Sequence, residues 1–257
     1  MQDGMNTAAQ QNGQAYPPGT AGWPPVATQL PLKPSHYLFG ATLIAGLFYL
    51  LNIGAAYLDA TTTGLVKRLA EFFLLNAEKN FPTLFNFGLI LVNAMFCSIL
   101  ALAAFAENNH WRWYWVGLAL ILMFLSFDEA AQIHERFAPL GAYFVEADGI
   151  FRFSWVVPAA PAVLLCGLVF LRFVLSQPRR IMLLMILFGA IYLGGAIGIE
   201  MASAFHVETG GEYGSFTYHL IAGVEEVVEM FGMALFGYTL MELYNLNLKA
   251  RRPATTE

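Results

Sequence analysis

Long apolar runs alternate along the chain with short polar ones. Runs at 37–58, 82–105, 111–137, 154–176, 181–205 and 216–244 each reach the length of about 20 residues that a bilayer core demands of a helix. The pattern predicts an all-α fold, a polytopic transmembrane helical bundle of about six spans. Residues 61–81 follow a different rule. There Leu65, Val66, Leu69, Phe72 and Phe73 alternate at helical spacing with Lys67, Arg68 and Glu71. That predicts an amphipathic helix lying on the membrane surface, or an extra-membrane helix packed on a neighbour. Trp111, Trp113, Tyr114 and Trp115 open the third run as an interfacial aromatic belt.

Composition agrees with the pattern. The chain is 58% hydrophobic and 12% charged, with a mean hydropathy of +0.56, where soluble domains carry about 25% charged residues. Residues 1–34 are polar and rich in Gln, Gly, Ala, Thr and Pro, which predicts a disordered tail. They lack the basic start and short apolar core of a signal peptide, so no cleavage is expected. Residues 35–246 form the membrane domain, and residues 247–257, with Lys249, Arg251 and Arg252, form a basic tail. Cys97 and Cys166 both fall inside apolar runs and read as packing residues. On one side of the membrane lie Lys33, Arg112, Arg172, Arg179, Arg180, Lys249, Arg251 and Arg252. On the other lie Lys67, Arg68, Lys79, Arg136 and Arg152. The positive-inside bias places both termini in the cytoplasm.

Charge inside the runs changes the picture most. The third run ends in Asp128, Glu129, Gln132, His134, Glu135 and Arg136. A charge at a helix centre costs about 2.5–3.5 kcal/mol on insertion scales, so such groups usually face protein or water. With the topology above, the third and fifth runs end on the outer side and the sixth begins there. His134, His206 and His219 then lie near the outer helix ends, roughly 5 Å deep at about 1.5 Å per residue. Asp128, Glu129, Glu200, Glu225 and Glu226 form a carboxylate layer below them, at roughly 9–15 Å, with Glu229 deeper.

On an ideal helix Asp128, Gln132 and Glu135 share one face, as do His219, Glu226 and Glu229. His134 and His206 stand about 120° away from Asp128 and Glu200, so one compact centre needs helix ends that unwind. The structural alternatives are a headgroup-level helix end for His134–Arg136, and acids paired with Arg136, Asn52 or Asn93. The ridge Ala190, Gly194, Gly198 and Ala202 predicts close helix packing beside Glu200.

The strings Asp128-Glu-Ala-Ala-Gln-Ile-His-Glu135, Gly195-Ala-Ile-Gly-Ile-Glu200 and Glu225-Glu-Val-Val-Glu-Met-Phe-Gly232 resemble a family of uncharacterised bacterial polytopic membrane proteins. The resemblance covers roughly residues 110–245 and implies membership and topology but no chemistry. It also implies a multi-pass protein of the bacterial inner membrane. The histidines are reminiscent of membrane hydrolases of the alkaline ceramidase and adiponectin-receptor type, without their paired histidines four apart. The Glu-x-x-His pairs of di-iron bundles are absent as well.

Three functions fit these residues. In the first, Asp128, Glu129, Glu200 and Glu226 are catalytic in a metal-dependent enzyme acting on a lipid-like substrate. Its zinc or iron would draw on Asp128, Glu129, His134, Glu200, His219, Glu225, Glu226 and Glu229, since histidine and carboxylate ligands suit those metals. In the second, the same acids bind protons or cations in a transporter or channel. In the third, they pair across helices in a structural or accessory subunit. The expected partners are membrane lipids and a lipid-like substrate or small ion, with no nucleic acid.

Overall fold

The structure is a computed structural model and describes residues 30–77 and 79–250. The predicted N-terminal tail lies outside the described residues up to residue 29, as does the basic tail from residue 251. The described residues are helical throughout their regular elements. These are α1 Pro34–Thr61, α2 Leu65–Glu71, α3 Phe81–Ala106, α4 Arg112–Ala131, α5 Ala138–Phe144, α6 Val156–Leu175, α7 Arg179–Leu193, α8 Glu200–Glu208 and α9 Phe216–Ala250. A π-helical turn, Gly194–Ile199, joins α7 to α8 without a break.

Among the described residues, five helical stretches are long and apolar enough to cross a membrane: α1, α3, α4, α6 and the continuous Arg179–Glu208. The chain is therefore compatible with a membrane protein. The sequence also expects a span at residues 216–244, and there the structure places α9, 35 residues long. Consecutive long helices run antiparallel. Ser126, late in α4, donates to the Phe87 carbonyl, early in α3, at 3.0 Å. At the opposite end of the same pair Phe105 meets Trp113 edge-on.

The most polar long helix occupies the middle of the bundle. α9 packs against α1, α3, α7, the π turn and α8, and Met230, Met233, Ala234, Phe236, Leu240 and Met241 along it are buried. α6 lies at the edge, with Leu164, Leu165, Leu168, Leu171 and Leu175 exposed. Exposed leucines on outer helices and a polar central helix are what a lipid solvent selects, because lipid tails favour no apolar burial and penalise charge.

Several expected features take a different form. The third run was expected to stay helical from residue 111 to 137, but α4 stops at Ala131, with Gln132 in the left-handed region at φ 54°. The Asp128 carbonyl accepts from Gln132 N–H at 2.7 Å and closes the last turn, so Gln132 and Glu135 no longer share a helical face with Asp128. The amphipathic helix expected over 61–81 shrinks to Leu65–Glu71, because Asn80 folds its amide back on the Leu74 carbonyl and caps α3 through Thr83. Leu65, Val66 and Leu69 remain exposed, as a surface-lying helix requires.

The small-residue ridge also lies elsewhere than expected. Ala190, Gly194, Gly198 and Ala202 are all exposed, and the close approach falls on buried Gly195. A Cβ there would stand 3.0 Å from Glu229 Cγ and 3.3 Å from the Glu225 carbonyl. The π turn inserts an extra residue and shifts which side chains face α9. Asn52 and Asn93, weighed above as partners for the acids, serve backbone instead. Asn52 donates to the His219 carbonyl at 3.0 Å and accepts from Leu75 N–H at 2.9 Å, and Asn93 donates to the Met233 carbonyl at 2.8 Å.

Candidate functional site

The carboxylates gather where α4 ends, the π turn interrupts α7–α8, and α9 passes between them. Glu229 interacts electrostatically with Glu225, Glu129, Glu200 and Asp128. Glu225 does so with Glu200 and Glu226, and Glu129 with Asp128 and His134. The acids of α4, α8 and α9 are thus within electrostatic reach of one another, and Glu229 is within reach of four of them. None of Glu129, Glu200, Glu225 and Glu229 is in an ion pair with Lys or Arg among the described residues. All four are half-buried.

One edge of the cluster has defined hydrogen bonding. The loop after α4 turns His134 back on Asp128. Asp128 Oδ1 accepts from the His134 backbone N–H at 2.7 Å, and its Oδ2 lies 3.0 Å from His134 Nδ1. The unwinding that the wheel argument required therefore occurs at Gln132, and it brings this pair together. The His134 ring packs on the Trp155 indole with centroids 4.8 Å apart. Trp155 Nε1 donates to Glu200 Oε1 at 2.9 Å. Asp128, His134, Trp155 and Glu200 form a continuous chain of contacts, and His134 also interacts electrostatically with Glu129 and Glu200.

Other residues complete the cluster. Tyr192, two residues before the π turn, interacts with Glu229, Glu129, Asp128 and Glu226. Asn86 on α3 is fully buried and faces Glu129, and neither polar atom of its amide makes a hydrogen bond of good geometry. The sequence reading missed Asn86, Tyr192 and Trp155. Asn86 carried a signal, an amide inside an apolar run, while Trp155 and Tyr192 resembled any interfacial or packing aromatic.

The remaining histidines lie apart from this chain of contacts. His219 is buried, with Nδ1 2.7 Å from Asn76 Oδ1 and Nε2 3.7 Å from Asp59 Oδ2. Asp59 in turn pairs with Lys67 at 3.1 Å. Thus His219 ties the start of α9 to α1 and the segment after α2, although it was expected to share a face with Glu226. His206 packs its ring against Gly211, and its Nε2 is buried without a hydrogen bond.

For zinc or iron the fit is poor. Among the described residues no group of three or more His, Cys, Asp or Glu side chains is placed to hold a metal ion. Asp128 and His134 engage each other, and His219 points to Asn76. The arrangement sets several carboxylates within electrostatic reach of one another and orients the His134 ring by the Asp128 carboxylate.

None of the curated proteins matches the chain, and no solved structure does. A family model described as "Domain of unknown function (DUF8692)" matches residues 36–243, so the chain belongs to that family.

Proposed function

We propose that the chain is a proton-handling membrane protein, a proton- or cation-coupled transporter or channel whose relay is the carboxylate cluster. One observation carries this reading. Glu129, Glu200, Glu225 and Glu229 interact across three elements with no Lys or Arg ion pair among the described residues. Like charges so close in a medium of low dielectric are too costly to ionise together, so the cluster needs shared protons or a small cation. His134 provides an imidazole at its edge, which suits exchange with the aqueous side. The π turn beside Glu200 supports the reading, because such turns are frequent at functional positions and give a helix a second register.

The reading includes six spans with both termini in the cytoplasm of a bacterial inner membrane. It rests there on the basic residues at the Arg172 and Arg179–Arg180 end and on the alternation of the helices. A second reading, an enzyme acting on a lipid-like substrate, draws on Asp128, His134 and Glu200. A histidine oriented by a carboxylate and lying beside an acid is an arrangement suited to general acid–base work.

Purified protein in liposomes holding a pH-sensitive dye distinguishes the two. Under an imposed gradient the wild type moves protons, and Glu229→Gln, which keeps the shape and removes the charge, slows this by about tenfold or more. Dye traces identical to protein-free liposomes under every gradient, with Glu229→Gln as well folded as the wild type, overturn the relay.

A further inference from the structure

The end of the bundle opposite the carboxylates carries an open cavity of about 610 Å³, lined by His110, Trp111, Tyr114, Arg172, Leu175 and Ser176. Pockets of roughly 300–1,000 Å³ hold small ligands. It lies where the start of α4 meets the end of α6, some 16 residues and roughly 24 Å along α4 from Asp128. Its wall is aromatic. Trp111 and Tyr114 pack edge-on at 5.0 Å, and Tyr114 stacks on fully buried Phe173 at 5.4 Å. The His110 ring lies 4.1 Å from that of Trp111.

Its charge is cationic and unspent. Arg172 is exposed and enters none of the ion pairs among the described residues, while Arg180 nearby in sequence bonds Tyr238 and Glu242. The hydroxyl of Ser176 donates to the Phe173 carbonyl at 2.7 Å, which leaves Arg172 and His110 as the basic lining groups with N–H donors for an anion. The C-terminal carbonyls of α6 oppose an anion, which makes the guanidinium indispensable.

The cavity also continues into an apolar track. Leu175 lines it, and from Leu175 the exposed residues Leu171, Leu168 and Leu164 recede along α6 at spacings of four, three and four, one face of a helix. An exposed guanidinium beside Trp111 and Tyr114, with a leucine stripe leading away along α6, matches one occupant in both parts. We propose that this cavity is a binding site for an anionic phospholipid, with the phosphodiester on Arg172 and His110 and an acyl chain along Leu171, Leu168 and Leu164. Arginine binds phosphate through two parallel hydrogen bonds, and basic pockets between membrane helices take acidic headgroups.

The test uses the full chain, delipidated in mild detergent, with dioleoylphosphatidylglycerol, dioleoylphosphatidylcholine or inorganic phosphate added. Native mass spectrometry counts bound lipid, and thermal unfolding reads the stabilisation by mass action. Phosphatidylglycerol binds about tenfold or more tighter than phosphatidylcholine. Arg172→Gln abolishes that preference, and Arg180→Gln keeps it. His110→Gln weakens it, and Leu168→Gln weakens both lipids alike. Equal affinity for the two lipids overturns the site, as does a preference that survives in Arg172→Gln. Stabilisation by inorganic phosphate alone to the level of the lipid overturns the lipid as occupant.

Discussion

His134 and Asp128, six residues apart in sequence, bond twice: backbone N–H to Oδ1 at 2.7 Å and Nδ1 to Oδ2 at 3.0 Å. The pair fixes where α4 ends and which way the imidazole faces. It joins a backbone decision to a chemical one, because the same carboxylate that stops the helix orients the ring.

That double role predicts non-additive effects. Asp128→Asn and His134→Gln should each reduce proton movement by about tenfold, and the double variant should be no slower than the worse single one. Each should also lower stability by about 1.5–3 kcal/mol, the range for a hydrogen bond involving a charged group. Liposome flux and thermal unfolding of all four proteins measure both quantities. Effects that multiply would mean the two residues act independently.

Gly195 sets the distance between the π turn and α9. Gly195→Val should destabilise the protein and disrupt flux, since even its Cβ would press on Glu229 Cγ at 3.0 Å and the Glu225 carbonyl at 3.3 Å. Overpacking of this kind costs about 1–3 kcal/mol. Gly198→Ala is the control: nothing lies within 4 Å of a Cβ there, so melting should be unchanged or slightly raised. A Gly195→Val protein with native melting and native flux would show that the contact has no role.

Much of this architecture was legible in the chain. The apolar runs marked the long helices because a membrane-spanning helix needs about 20 residues, and the acids stood out because lipid makes them costly. Their similar positions along the runs made Asp128, Glu129, Glu200 and Glu225 candidates for one site. What depth cannot supply is azimuth. The π turn at Gly194–Ile199 rotates everything beyond it, so the ridge Ala190, Gly194, Gly198 and Ala202 seemed to face a neighbour when Gly195 does. The left-handed Gln132 likewise undid the shared face of Asp128, Gln132 and Glu135, while making the His134 pair possible. His219 could not be separated from Glu226 on a wheel, because its partners Asn76 and Asp59 lie far away in sequence.

Asn52 holds the start of α9 against α1 and the segment after α2. Asn52→Leu should cost about 1–3 kcal/mol for each buried group left without its partner, the His219 carbonyl and the Leu75 N–H. Gly223 packs on this amide, with a Cβ position only 2.4 Å from Asn52 Nδ2, so leucine also meets a crowded neighbour. Thermal unfolding in detergent should show a lower midpoint, while flux per folded molecule stays near the wild type. A fall in flux without a fall in melting would place Asn52 in the relay.

Asn86 separates the two kinds of role most cleanly. Its side chain is fully buried on α3, faces Glu129, and leaves both amide atoms without a well-formed hydrogen bond. A buried amide held only loosely by a carboxylate recovers little of what its lost water gave. Leucine has nearly the same shape and no polar atom, so Asn86→Leu should leave the melting midpoint unchanged or raise it. If Glu129 belongs to the relay, the same substitution strips a polar neighbour from its carboxylate and should slow proton movement by about tenfold. Stability and function then move in opposite directions, the mark of a residue kept for its chemistry. A variant that melts lower and still moves protons at the wild-type rate would assign Asn86 to packing and remove it from the site.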